Sequence, residues 1–260
     1  MRAISIAKIG EGLINEDAAK ATEKWIAVSD GAGGGGVFAD MWSKYLVEKL
    51  PDKAIADYRA FDAWIDGIWE SFYNDCEETA KLEGGMFLNK FYDEGSFATL
   101  VAVWKEGRWI SYGDSVAFCY DMETGELQHT FGLIIDFNNP PYLINCKDPL
   151  IERGFKSGRF DINDNCIVFA ASDALAHYII MMYELAHKDK YAEELQEAVD
   201  AQTKNSNLIK TAMRLKKVDF AKDVIQKLQN CRYQQQFIAH VTRLKKMGFI
   251  ALDDYSLAIL

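Results

Sequence analysis

The chain has 260 residues, is 49% hydrophobic and carries a formal net charge of -10 at pH 7. That length and apolar content predict a single folded domain over residues 1–260 with a substantial core, and the charge argues against nucleic acid or anionic membrane as partners, because the global field repels both. No run of about eighteen apolar residues suggests a membrane span, and Cys76, Cys119, Cys146, Cys166 and Cys231 are scattered with no Cys-x-x-Cys pair, the usage expected of reduced thiols in a cytoplasmic protein.

Met1 to Lys8 alternates like a first strand and lacks the longer apolar core of a signal peptide. The acidic cluster Asn15-Glu16-Asp17 follows, and then Lys24 to Val28, a predicted buried strand that delivers Asp30 into the glycine run Gly31 to Gly36, interrupted only by Ala32. Val37, Met41, Trp42, Tyr45, Leu46 and Leu50 recur at helical spacing until Pro51, and a second helical pattern runs from Phe61 towards Ala80 before Gly84-Gly85 ends it. Both aromatic stripes are expected to be core. From Gly95 the texture changes to strands at Phe97–Trp104, Arg108–Tyr112 and Ser115–Tyr120, joined by turns so short that an antiparallel meander is expected.

Residues 130–164 are predicted to be irregular with short strands, and Cys166 to Ala171 to be another buried strand, ending at Ser172-Asp173. Helical patterns then dominate to about Lys246, and Tyr255 to Leu260 closes the chain as a strand. Within the helical region, Arg214, Lys216, Lys217 and Lys222 interleave with Leu215, Val218 and Phe220, predicting a solvated helix face. With no Pro- or Ser-rich linker and helices blocked between strand-rich segments, the expected class is α+β: mainly antiparallel sheets facing each other, with helices outside.

An apolar strand followed at once by an acidic residue beside a small one recurs at Val28-Ser29-Asp30-Gly31, Tyr112-Gly113-Asp114-Ser115, Ala171-Ser172-Asp173-Ala174 and Ala251-Leu252-Asp253-Asp254. Any one alone is an ordinary turn or cap residue. Converging at strand ends, such carboxylates offer the oxygen ligands that hard cations such as Mg2+ or Mn2+ take. No persuasive Ser/His/Asp or cysteine nucleophile competes: Cys119 and Cys166 lie in apolar strands, and His177 follows Asp173 on a predicted helix, where a core or surface role is expected. The glycine run lacks Gly-Lys-Ser/Thr, and Asp30 at its mouth would repel a nucleotide phosphate.

In their order along the chain, Asn15-Glu16-Asp17, Val28-Ser29-Asp30-Gly31 with Gly33-Gly34, Gly95-Ser96-Phe97-Ala98-Thr99, Tyr112-Gly113-Asp114-Ser115, Ala171-Ser172-Asp173 and Asp253-Asp254-Tyr255-Ser256 resemble the metal-dependent serine/threonine phosphatases of the protein phosphatase 2C family, bacterial type. The resemblance runs from end to end, with no motif placed between about residues 185 and 245, a family-variable helical region. It implies a four-layer α-β-β-α sandwich with the metal centre at one end. It also implies that Asp30 bridges two Mn2+ or Mg2+ ions, that the Gly31 carbonyl binds one and that Asp173 and Asp253 complete the other. Glu16 and Asp17 would hold metal-bound waters or orient the ligands, and Asp114 with Asp173 would form a third, weaker metal site.

The implied reaction is hydrolysis of phosphoserine and phosphothreonine in proteins by a water bridging the metals, with no protein nucleophile, in a signalling pathway shared with a cognate kinase. The pattern departs at Gly12, where many members carry a phosphate-clamping arginine, leaving Lys8 as a nearby point charge, and at Ala32, where chiefly eukaryotic members carry a histidine. Ala174 replaces the more usual glycine after Asp173. The competing expectation is a pseudophosphatase, a binding or regulatory module with little turnover; Gly12 favours it, and the retained Asp30, Asp173 and Asp253 argue against it.

Overall fold

The computed structural model describes residues 1–9, 14–34 and 36–260. Two five-stranded sheets form its centre, with all strand pairs antiparallel. One holds β1 (Arg2–Ile6), β7 (Val116–Asp121), β8 (Leu127–His129), β11 (Cys166–Ala171) and β12 (Tyr255–Ile259) in the order β1-β12-β11-β7-β8. The other holds β2 (Ala18–Ala21), β3 (Trp25–Ser29), β5 (Leu100–Trp104), β6 (Arg108–Tyr112) and β10 (Phe155–Arg159) in the order β10-β6-β5-β3-β2. A small ribbon pairs β4 (Phe97–Ala98) with β9 (Ile144–Asn145).

Side-chain alternation separates the layers. On β3 and β5, Trp25, Ala27, Leu100, Ala102 and Trp104 join a core with α1 (Ala39–Lys49), α2 (Tyr58–Asp66), α3 (Trp69–Glu83) and α4 (Gly85–Glu94). The intervening Ile26, Val28, Val101 and Val103 meet Ala117, Cys119, Val168, Ala170 and Ala258 of the opposite sheet. On that sheet's outer face, Phe118, Tyr120, Phe169, Leu257 and Ile259 pack with α5 (Asp173–Ala186), α6 (Lys188–Asp200), α7 (Lys204–Ala212), α8 (Gln226–Asn230) and α9 (Gln234–Met247). Small side chains between the sheets and large ones outside let the sheets approach closely while the helices bury the bulk of the aromatic surface. This is the expected α-β-β-α sandwich.

Four local expectations are corrected. The meander breaks after β6: β5 and β6 form a hairpin, but β7 belongs to the other sheet, so Gly113-Asp114-Ser115 carries the chain across the sandwich. Gly113 has φ +101, and a side chain there would meet Thr99, so the crossing is tight. Phe97–Trp104 is two strands interrupted at Thr99, whose amide is turned to the Asp30 carbonyl at 2.8 Å. The helical pattern from Phe61 splits at Gly67, and Gly84, with φ +112, ends one helix and leads into α4, which buries Phe91. The basic cluster is not one helix face: α7 stops at Ala212, Arg214 to Lys217 lie in the connection that follows, and only Lys222 stands on a helical turn, the π-helical Ala221–Ile225. Among the described residues no helix is long and apolar enough to cross a membrane, and all five cysteines are free.

Candidate metal centre

At one end of the sandwich the layer between the sheets changes from Val and Ala to hydroxyl and carboxylate residues. The same alternation that points Ala3, Ala19, Val28, Val101, Ala117, Ala170 and Ala258 inward brings Ser5, Asp17, Asp30, Thr99, Ser115, Ser172 and Ser256 to that end. Hydrogen bonds tie them together, within one sheet through Ser256 and between the sheets through Thr99 and Ser115. Ser256 Oγ donates to Ser5 Oγ at 2.8 Å, the Ser256 amide donates to Ser172 Oγ at 2.9 Å, and Thr99 Oγ1 and Ser115 Oγ lie 2.7 Å apart.

Asp30 stands where β3 gives way to the glycine run. Its amide donates to Thr99 Oγ1 at 3.1 Å, its carbonyl accepts from the Thr99 amide at 2.8 Å, and Ser29 Oγ donates to the Thr99 carbonyl at 2.6 Å. Gly31 follows so close to the Glu16 and Ala39 carbonyls, 2.5 and 2.7 Å from where a Cβ would lie, that no side chain fits. A Cβ on Gly33 would collide with the Glu16 carboxylate, which therefore folds over the glycine loop. Ser43 Oγ fixes the Glu16 backbone by donating to its carbonyl at 2.5 Å.

Asp173 opens α5, and its carboxylate accepts from the Ala174 amide at 2.5 Å. Asp253 precedes β12; its amide donates to the hydroxyl of fully buried Tyr255, which donates in turn to the Ala251 carbonyl at 2.6 Å. Asp254 is spent structurally, one carboxylate oxygen accepting from the Lys8 amide at 2.7 Å and the other from the Glu16 amide at 2.8 Å. That staple sets the end of β1 against the acidic loop. Lys8 Nζ then lies 3.4 Å from Asp253 Oδ1 and 3.8 Å from Glu16 Oε2.

These carboxylates share one electrostatic environment. Burial, followed by the charges of Asp17, Asp173, Asp114 and Asp253, pushes Asp30 well above the ordinary carboxylate range. Burial and then Asp114, Asp253 and Asp17 do the same to Asp173. Asp114 is raised to about 6 by burial and then Asp253, and Asp17 to about 7, mainly by burial. Asp17 is only 2% exposed, and although Ser172 and Ser256 stand beside it and temper the rise, neither of its carboxylate oxygens completes a hydrogen bond. Burial also raises Glu16 against the opposing charge of Lys8. For Lys8 burial works downward, but Asp253 and Asp254 outweigh it and the net shift is up.

The sequence-predicted Glu16, Asp17, Asp30, Gly31, Asp114, Asp173 and Asp253 are thus brought to one end of the sandwich. Gly12 and Gly35 lie outside the described residues. Sequence reasoning assigned no part to Thr99, Ser115, Tyr255 or Ser43; the first two sit inside motifs that carried the resemblance, but their hydrogen-bond partners are remote in sequence. His177 is buried, makes no hydrogen bond and packs edge-on against Phe137, the core role expected of it.

Among the described residues, no three His, Cys, Asp or Glu side chains converge as a finished ligand cage. The donor set still fits a hard divalent cation: all are oxygens, Asp17 is buried with both carboxylate oxygens unpartnered, and the glycine loop leaves the Gly31 backbone unshielded. An ion of the Mg2+ type keeps several waters and needs only one or two carboxylates directly.

No family model and no curated protein matches the sequence. Among solved structures, the catalytic domain of the serine/threonine protein phosphatase PstP in complex with two manganese ions superposes with a TM-score of 0.53 at 13% identity, over 99% of this chain and 95% of that one. The Mycobacterium tuberculosis serine/threonine phosphatase PstP/Ppp gives a TM-score of 0.52 at 13% identity, over 99% and 96%. The class of protein defined at the level of fold is therefore that of the protein phosphatase 2C sandwich.

Proposed function

We propose that this protein is a Mn2+- or Mg2+-dependent phosphomonoester hydrolase acting on phosphoserine and phosphothreonine in proteins, within a pathway that includes the opposing kinase. The observation that carries the reading is Asp17: a carboxylate 2% exposed, with neither oxygen hydrogen-bonded, beside Asp30. Burying an acid without a partner costs free energy that a core residue would not retain without use.

Asp30, the Gly31 carbonyl, Asp173 and Asp253 would hold two divalent ions, Asp114 with Asp173 a third and weaker one, and Glu16 and Asp17 would act through water. Bound ions supply acidified water and neutralise charge on a phosphoryl group. The chain's own residues prepare the site. The Ser29–Thr99–Ser115 hydrogen bonds fix the backbone that carries Asp30, the Asp254 staple fixes Lys8 and Glu16, and Asp17 offers a water at the site an acceptor for its proton. Lys8 is a cation paired with two of these acids, Asp253 and Glu16, and is the candidate to meet a substrate phosphate. One observation favours the second reading, a binding module with weak turnover: Lys8 is already engaged by Glu16 and Asp253 instead of being free for a phosphate.

The test is hydrolysis of p-nitrophenyl phosphate and of a phosphothreonine peptide, with Mn2+ and with chelator. Activity should require the metal, and Asp30→Asn and Asp173→Asn should each lower kcat/KM by about a hundredfold or more. Turnover that persists in chelator or survives both substitutions would sink the proposal. Metal binding without turnover would favour the binding module.

A further inference from the structure

Lys8 reaches one acid proposed for the second ion, Asp253, and more distantly Glu16 beside the glycine loop. Its ammonium is paired with Asp253 at 3.4 Å and Glu16 at 3.8 Å, whereas the charges acting on Asp30 and Asp173 are chiefly those of other carboxylates. Nor is its position incidental. The Lys8 amide and the Glu16 amide are held by the two oxygens of the same Asp254 carboxylate, at 2.7 and 2.8 Å, so the root of the lysine is fixed beside the loop that carries Glu16. A primary ammonium and a divalent ion compete for the near side of one carboxylate: in a partly buried site their mutual repulsion offsets much of the attraction each gains.

We infer that Lys8 serves as a built-in monovalent cation on the Asp253 side, so that the resting protein takes one divalent ion firmly at the Asp30–Gly31 side and admits a second only when the lysine is displaced. This rests on the metal-dependent reading above. The four-carbon stem allows the displacement, because it can swing the ammonium towards solvent without moving the stapled backbone. Lys8 and Asp253 side chains are 36% and 38% exposed, so the exit is open. The lysine thereby sets the number of ions in the site.

The test counts ions on the full chain by Mn2+ titration calorimetry, with electron paramagnetic resonance to detect two manganese ions in spin-coupled proximity. Wild type should bind one ion with no coupled signal at concentrations that saturate that site. Lys8→Met should bind two, show the coupled signal and tighten the second ion by about tenfold or more, a larger gain than the first ion shows. Lys8→Arg, which keeps the charge, should remain at one, and Lys8→Gln repeats the neutralisation should the methionine variant fold poorly. Two coupled ions in wild type, or a single ion in both neutral variants, would overturn the inference while leaving the metal-dependent reading intact. An absence of binding in every variant would overturn that reading itself.

Discussion

Glu184, on the inner face of α5, is 3% exposed, and its Oε2 makes no hydrogen bond. Burial first, then the charge and hydrogen bonding of Glu194, push its carboxyl up to about 9, while Glu194 itself accepts from the Ile134 amide at 3.2 Å. The folded value lies above the ordinary 4.5, so between roughly pH 4.5 and 9 the native state keeps a proton that the unfolded chain releases, and stability falls as pH rises through that window. Glutamine supplies a neutral group of the same shape. Glu184→Gln should therefore raise Tm at pH 8 by at least about 2 °C, give little or no gain at pH 4 and flatten the profile between. Thermal melts across that range check it, and curves that stay parallel to wild type would show that Glu184 is not held neutral.

At the scale of elements, the loop joining β3 to α1 contains two glycines with different jobs. A Cβ on Gly31 would meet the Glu16 and Ala39 carbonyls at 2.5 and 2.7 Å, and these are backbone atoms of packed segments that cannot step aside. Gly31→Ala should destabilise the fold by about 1–3 kcal/mol. A Cβ on Gly33 meets only the tip of the Glu16 side chain, which can swing away. Gly33→Ala should melt near wild type yet bind Mn2+ more weakly, because Glu16 is driven off the loop. Melts and Mn2+ titrations on the pair separate the two roles, and equal metal affinity in Gly33→Ala and wild type would remove Glu16 from the site.

Much of this end of the molecule was legible in the sequence because alternation and acidic strand ends are local signals. Trp25 to Ser29 and Cys166 to Ala171 declare buried strands, and Asp30, Asp114, Asp173 and Asp253 stand in the ordered motifs that carried the resemblance. The crossing at Gly113 was not legible, because a glycine-aspartate turn has the same composition whether the chain doubles back or passes to the facing sheet. Thr99 and Asp254 were hidden for another reason. Their partners Asp30 and Glu16 lie 69 and 238 residues away, and no local pattern records which backbone amide a side chain will meet. The direction of Lys8, just past the end of β1, escaped alternation because alternation stops where the strand does.

For the molecule as a whole, metal binding by these acids, as proposed, would make binding and stability one equilibrium. Asp17 and Asp114 are raised to about 7 and about 6 from 3.8, and Asp30 and Asp173 are also pushed well above the ordinary carboxylate range, in each case chiefly by burial. Without an ion the folded state holds protons that the unfolded chain has shed above about pH 4, so metal-free stability declines as pH rises from about 4 to 7. A bound divalent ion would take the place of those protons and stabilise the ionised site, by about 2.7 kcal/mol at a hundred times its dissociation constant. The Tm difference between Mn2+-loaded and chelated protein should consequently widen from pH 5 to pH 8, and the Glu184→Gln background removes the slope contributed by α5 from both curves. A difference that narrows with pH, or a chelated protein whose Tm climbs through this window, would mean that the clustered carboxylates are compensated by groups within the chain and do not depend on a bound cation to ionise.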